Sequence, residues 1–299
     1  MHSMRSIALA ALAAFGGCAG SGPTEQEPVR APRLEDIGDA VIFGIADEPI
    51  RLEGGRWEGK PYAPGGASRP MAGLAEDFIR HGDLDGDGND EAVVLAWTSS
   101  GGSGTLNYIA VFAAGDAEPV NVGTAPLGDR VQLIDASVTD RFLAVDVVQH
   151  GDDDAACCPT LTARRTFVLD GGTLLERDAT TVGTLSLETP GGVDWQLVSL
   201  GPAPDRAPEG ITLRIDGNRI SGRGPCNRYF TQAVPGGGPA DFSVERIGAT
   251  RMFCDEETMA LEDAYFAALA SSRRFAFRAG RLVITYEADG ALDALLFSR

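Results

Sequence analysis

Positive charge is what this chain has least of. Its 299 residues carry 25 Lys and Arg against 43 Asp and Glu, a formal net charge of −18. Binding to a phosphate backbone needs clustered cations, so this balance argues against nucleic acid and against a polybasic membrane patch. Histidine is nearly absent. Beyond the first residues only His81 and His150 could act as bases, and neither has a partner at a catalytic spacing. Ser103 lies in Gly-Gly-Ser-Gly-Thr, which lacks the last glycine of a nucleophile elbow. The Gly-rich segments are not followed by Gly-Lys-Ser/Thr, which excludes a P-loop. No internal repeat is present, and no apolar run is long enough to cross a bilayer as a helix. These absences point to a non-catalytic protein. An envelope hydrolase or a thiol-redox enzyme is the alternative from the other class.

The first residues have the composition of an export signal. Arg5 supplies a positive start, and Ile7 to Phe15 form a short apolar run. Phe15-Gly16-Gly17-Cys18 then places small residues before a cysteine, the pattern of a lipobox. Residues 1–18 therefore read as a lipoprotein signal peptide, with Cys18 the acylated residue and the lipid the expected membrane anchor. Ala19 at the next position suits sorting to the outer membrane, facing the periplasm. Residues 19–36, rich in Pro and polar residues, read as a flexible tether.

The remaining length suffices for two domains. From 37 to 179, short apolar segments alternate with turn signals, the pattern of a β-rich unit. Ala92–Trp97 is a continuous apolar run and predicts a buried strand that pairs with Asn107–Phe112. Val131–Val138 with Phe142–Gln149 predicts a hairpin. So does Arg165–Leu169 with Thr173–Glu176, closed at Asp170-Gly171-Gly172. Residues 180–191 form a link. From 190 to 299 the predicted strands are Trp195–Leu200, Ile211–Ile215, Arg219–Gly222, Phe242–Ile247, Phe275–Phe277, Leu282–Tyr286 and Leu292–Phe297. One helix is predicted over 256–271, capped by Asp255 and burying Leu261, Tyr265, Ala268 and Leu269. The fold class is thus mainly β, of α+β type, with the second unit an antiparallel sheet packed by one helix.

The sharpest motif is Asp83-Leu84-Asp85-Gly86-Asp87-Gly88-Asn89-Asp90-Glu91. Asp83, Asp85, Asp87, Asn89 and Glu91 stand at positions 1, 3, 5, 7 and 9 of a loop that Gly88 allows to turn sharply. Hard oxygen donors at this spacing suit Ca²⁺ in a structural role, of affinity roughly 10⁻⁴–10⁻³ M. Position 12 is Val94, so this is not an EF-hand. The loop resembles the calcium loops of FG-GAP and integrin-type propellers, in a single copy. The plain alternative is an acidic Asp-Gly turn. His150 with Asp152, Asp153 and Asp154 suggests a transition-metal site more weakly, because such a run is more often a solvated turn.

Apart from Cys18, four cysteines remain: Cys157, Cys158, Cys226 and Cys254. An oxidising compartment permits disulfides, and three pairings are open. Two cysteines in each unit favour Cys157–Cys158 and Cys226–Cys254. The first pair could instead be a redox switch or stay reduced. Closing the 226–254 loop is worth about 3–4 kcal/mol by loop-closure entropy.

The stretch around the last two cysteines carries a family resemblance. Trp195, Ser221-Gly222, Cys226-Asn227-Arg228-Tyr229-Phe230, Thr250-Arg251-Met252-Phe253-Cys254, Glu262, Leu269 and the final strand to Phe297 resemble the META domain, the family that includes the envelope lipoprotein HslJ. Pro225 and Thr231 depart from its usual pattern. The resemblance implies a non-catalytic part in envelope maintenance or stress response. A protein- or peptide-binding module is the alternative, and it would show an exposed apolar patch on one sheet. Arg228 and Arg251 flank the cysteines. They read either as an anion clamp or, more plainly, as surface salt bridges to Asp or Glu.

Overall fold

The structure is a computed structural model and describes residues 29–201 and 209–299. The expected signal at 1–18, Cys18 and the tether as far as residue 28 lie outside the described residues. No described helix is long and apolar enough to cross a membrane. The protein is mainly β, as its alternating apolar segments predict.

The first unit begins with α1 (Leu34–Ile37), β1 (Val41–Ile42) and β2 (Ile50–Arg51). A five-stranded antiparallel sheet follows, built from β3 (Arg56–Glu58), β4 (Met71–Gly82), β5 (Glu91–Ser99), β6 (Leu106–Ala113) and β7 (Val120–Asp129) in sequence order. A four-stranded sheet follows that, from β8 (Gln132–Thr139), β9 (Phe142–Gln149), β10 (Leu161–Asp170) and β11 (Thr173–Thr184).

The two sheets share one core. Val93, Leu95, Ile109 and Val111 from the first meet Leu143, Val145, Val147 and Phe167 from the second. The other side of β5 and β6 presents Ala92, Val94, Ala96, Ala110 and Phe112 to Ile37, Ile42, Ile50 and Leu52. This explains the unbroken apolar run 92–97: both faces of the strand are covered, so alternation has no reason to appear. Arg165 crosses between the sheets. Its Nε and Nη2 donate to Glu176 on β11 at 2.7 and 2.7 Å, and its Nη1 donates to the Leu127 carbonyl at 2.6 Å.

The second unit is one large antiparallel sheet. Its strands are β12 (Asp194–Leu200), β13 (Thr212–Asp216), β14 (Arg219–Arg223), β15 (Arg228–Pro235), β16 (Phe242–Val244) and β17 (Gly248–Ala249), then β18 (Ser272–Arg278), β19 (Arg281–Ala288) and β20 (Ala291–Ser298) after the helix. The order is β16-β15-β14-β13-β12-β20-β19-β18, with β17 also paired to β15. Helix α2 (Glu256–Ala270) starts as predicted, with Asp255 Oδ1 accepting from Thr258 N at 2.9 Å. It buries Tyr265, Ala268 and Leu269 against Trp195, Leu213 and Ile284 of the sheet core. Its fourth buried residue is Glu262, while Leu261 is only half-buried.

The units meet along β8. Phe277 N donates to Gln132 Oε1 at 2.8 Å and Gly280 N to the Leu133 carbonyl at 2.9 Å. Asp135 accepts from Arg80 of the first unit and Arg299 of the second, each at 2.8 Å. Gly280 has φ +80°, and a Cβ there would stand 3.3 Å from the Phe78 ring, so the β18–β19 turn rests directly on the first core. The strand β11 runs on to Thr184, and Leu185 and Leu187 already belong to the second core.

Candidate functional site

The acidic loop joins β4 to β5. Leu84 is fully buried and pins the loop to the first core. Around it the carboxylates turn back on the backbone. Asp83 accepts from Gly86 N at 2.6 Å and Gly88 N at 3.1 Å, and Asp85 accepts from Asp87 N at 3.0 Å. Gly86 and Gly88 hold φ of +86° and +89°, conformations that glycine takes without strain. Glu91, 2% exposed, accepts from Leu84 N at 2.8 Å.

Three of the five predicted ligands converge. Oxygens of Asp83, Asp85 and Glu91 lie within 4.8 Å of one another. Asp87 and Asn89 instead face each other: Asn89 N and Nδ2 donate to Asp87 at 2.7 and 3.0 Å, which holds the Asp87 carboxyl below its ordinary range. Glu91 moves the other way. Burial pushes its pKa up, the Leu84 N–H opposes this, and the nearby Asp85 charge adds to the rise. Arg141, in the β8–β9 turn, lies against Gly86. The donor set fits a hard divalent cation: it is all oxygen, it contains a buried carboxylate whose charged form is disfavoured, and its turn is already formed.

The second site is the cysteine loop. Cys226 and Cys254 are bonded, with Cα atoms 6.1 Å apart. Glu262 of α2, 3% exposed, reaches into this loop. Its Oε2 accepts from Cys226 N at 2.9 Å and Asn227 N at 2.6 Å, and its Oε1 accepts from Asn227 Nδ2 at 2.7 Å. Asn227 Oδ1 in turn accepts from Thr250 Oγ1 at 2.7 Å and Met252 N at 2.8 Å. The helix, the 224–227 turn and the 250–252 segment that follows β17 are thus tied through two side chains.

Two glycines make room for this arrangement. A Cβ on Gly224 would stand 2.9 Å from Glu262 Oε2. One on Gly222 would meet the Thr212 carbonyl and come within 2.9 Å of the Tyr229 hydroxyl. That hydroxyl donates to Thr212 O at 2.9 Å and shares a 2.7 Å hydrogen bond with Tyr265 OH. Burial raises the pKa of both phenols. Glu262 and Gly222 stand among the residues that carry the META resemblance. The role of Tyr265 as the partner of Tyr229 had no sequence signal beyond its place on the apolar helix face.

The other predicted groups fall apart from these sites. Cys157 and Cys158 are bonded to each other in the β9–β10 connection. Asp154 beside them accepts from Gly151 N at 2.8 Å, Thr160 N at 2.7 Å and Thr160 Oγ1 at 2.7 Å, so it organises the turn. His81 Nε2 is 2.8 Å from the Pro32 carbonyl, and the Ser103 carbonyl accepts from Arg130 at 2.9 Å. Arg228 and Arg251 form no ion pair among the described residues, contrary to the plainer expectation for them.

Residues 186–297 match the family model of the META domain. The match begins four residues before the predicted boundary and takes in Leu187, which packs into the second core. No curated protein matches the chain.

Proposed function

We propose that this protein is a non-catalytic lipoprotein of the cell envelope, similar in its second unit to HslJ, with a role in envelope maintenance or stress response. The lipid at Cys18 would hold it to the membrane. Calcium at the 83–91 loop would stabilise the first unit.

The observation that carries the reading is how the family residues are used. Glu262 and Asn227 spend their polar atoms on backbone and side-chain partners inside the protein. They build a rigid shape and offer no reactive group to a substrate. The META match supports the same class of role. The pairing of all four described cysteines suits an oxidising compartment. In the first unit, Asp83, Asp85 and Glu91 would supply the cation's oxygen ligands, with Asp87 and Asn89 close at hand.

The anchor is tested by mass spectrometry of protein extracted from the membranes of an expressing Gram-negative cell. The expected result is a mature chain beginning at a triacylated Cys18. A Cys18→Ser chain should carry no lipid. An unmodified wild-type Cys18 overturns the lipoprotein reading.

A further inference from the structure

The outer face of β14 and β15 gathers positive charge that is neutralised elsewhere in the molecule. Along β15, Tyr229, Thr231 and Ala233 are buried, while Arg228, Phe230, Gln232 and Val234 face outward. The register sets Arg223 opposite Arg228 and Arg219 opposite Gln232. Like charges directly opposite one another destabilise a sheet, so the Arg223–Arg228 pair is not explained by folding. Arg219 covers the half-exposed Phe230 ring at 5.0 Å.

The charge continues into the neighbouring loop. Thr250 N donates to the Arg228 carbonyl at 3.0 Å, which brings Arg251 to this end of the face. Met252 and Phe253 follow, 54% and 94% exposed. Arg219, Arg223, Arg228, Arg246 and Arg251 form no ion pair among the described residues. Every other described arginine does, Arg141 and Arg278 excepted. In a protein with a net charge of −18 this local excess is the reverse of the average, and it departs from the expectation, drawn from overall charge, that no basic membrane patch is present.

We propose that this face docks on an anionic lipid surface. The charge complementarity is direct: guanidinium groups pair bidentately with phosphate oxygens. The charge is spread over two strands and a loop, which suits an extended surface better than one small anion. Met252 and Phe253 add apolar side chains of the kind that enter the headgroup boundary. The carboxylates bordering the face are Asp216, opposite Arg219 in the register and paired with Arg214 at 3.1 Å, Glu245, whose N–H bonds the Gln232 carbonyl, and Asp255, Glu256 and Glu257, which follow Phe253 at the start of α2. Acidic residues on the far side act weakly, since the Debye length at physiological salt is about 8 Å. The inference goes beyond the proposed function and does not depend on the lipid at Cys18.

The test titrates the chain from residue 19, which carries neither the apolar run 7–15 nor an acyl chain at Cys18, with phosphatidylcholine vesicles and with vesicles containing 30 mol% phosphatidylglycerol. Half-binding should need less lipid on the anionic vesicles, and the preference should vanish in about 0.5 M salt. An arginine near an anionic surface is worth roughly fivefold in binding, so Arg223→Gln with Arg228→Gln should weaken the anionic preference by roughly 10- to 30-fold. Both residues are exposed and face a like charge, so the melting temperature of the double variant should hold or rise, not fall. Phe253→Ser should weaken binding further. Equal binding to both vesicle types, an anionic preference that survives in the double variant, or binding to soluble heparin without binding to vesicles would each overturn the proposal.

Discussion

Replacing Glu262 by Gln changes one atom of a buried side chain and should still unsettle the whole second unit. The carboxylate accepts three N–H bonds: Oε2 takes the backbone of Cys226 and Asn227, and Oε1 takes Asn227 Nδ2. An amide keeps a single acceptor. With its oxygen placed toward the two backbone N–H groups, its NH₂ confronts the Asn227 NH₂, donor against donor. Asn227 cannot turn over to relieve this, because its Oδ1 already accepts from Thr250 Oγ1 and Met252 N. The variant therefore loses one charge-assisted bond and leaves a buried donor unpaired, a cost of about 2–5 kcal/mol. Urea unfolding followed by fluorescence in a Trp57→Phe, Trp97→Phe background measures it, since Trp195, the tryptophan that remains, is fully buried in this core. Asp263→Asn, at an exposed position of the same helix, serves as control and should stay within about 0.5 kcal/mol of wild type. A Glu262→Gln protein as stable as that control would refute the reasoning.

Other outcomes follow from the same geometry. Cys226→Ser should lower stability by about 3–4 kcal/mol, and reduction of a Cys157→Ser, Cys158→Ser protein, which keeps only the 226–254 bridge, should reproduce the loss. Asp135→Ala leaves Arg80 and Arg299 without their shared partner across the units. It should cost about 1–2 kcal/mol, and calorimetry should show unfolding spread over a wider temperature range than in wild type. Glu91 has a folded-state pKa above its unfolded value. Its contribution is thus fully present below the unfolded pKa and lost as pH rises through the folded one. In EDTA, wild type should lose melting temperature relative to Glu91→Gln as pH rises from the unfolded carboxylate pKa through the higher folded value; a constant difference would count against a strained buried carboxylate.

The strands most legible in the sequence were those with continuous apolar runs or strict alternation, such as β5, β6 and β13. The helix was legible because Asp255, two acidic residues in its first turn and the apolar face agree. The strands β4 and β7 gave little signal. The strand β4 carries Glu76 and Asp77 across a register shift between Leu74 and Ile79, and β7 carries Gly123 and Pro126 with irregular pairing to β6. The strand β15 was hidden by the short loop and turn signals on either side of it. At the acidic loop, spacing alone placed Asp83, Asp85 and Glu91 together. It could not show that Asn89 would bond Asp87, because that depends on which local partner a side chain finds first. In the second unit the residue types were visible, but their purpose was not. Glu262 lies on the buried side of its helix, and nothing in periodicity marks a carboxylate there as a threefold acceptor.

The most direct test of the account is thermal unfolding of the full chain in EDTA and in 10 mM Ca²⁺, for wild type and for Asp85→Ala. A site of roughly 10⁻⁴–10⁻³ M affinity predicts about 1.4–2.7 kcal/mol of added stability in wild type. That is a rise in melting temperature of roughly 3–10 °C, lost in Asp85→Ala. Equal melting temperatures with and without Ca²⁺ in wild type would contradict calcium as the stabiliser of the first unit and leave the 83–91 loop an acidic turn.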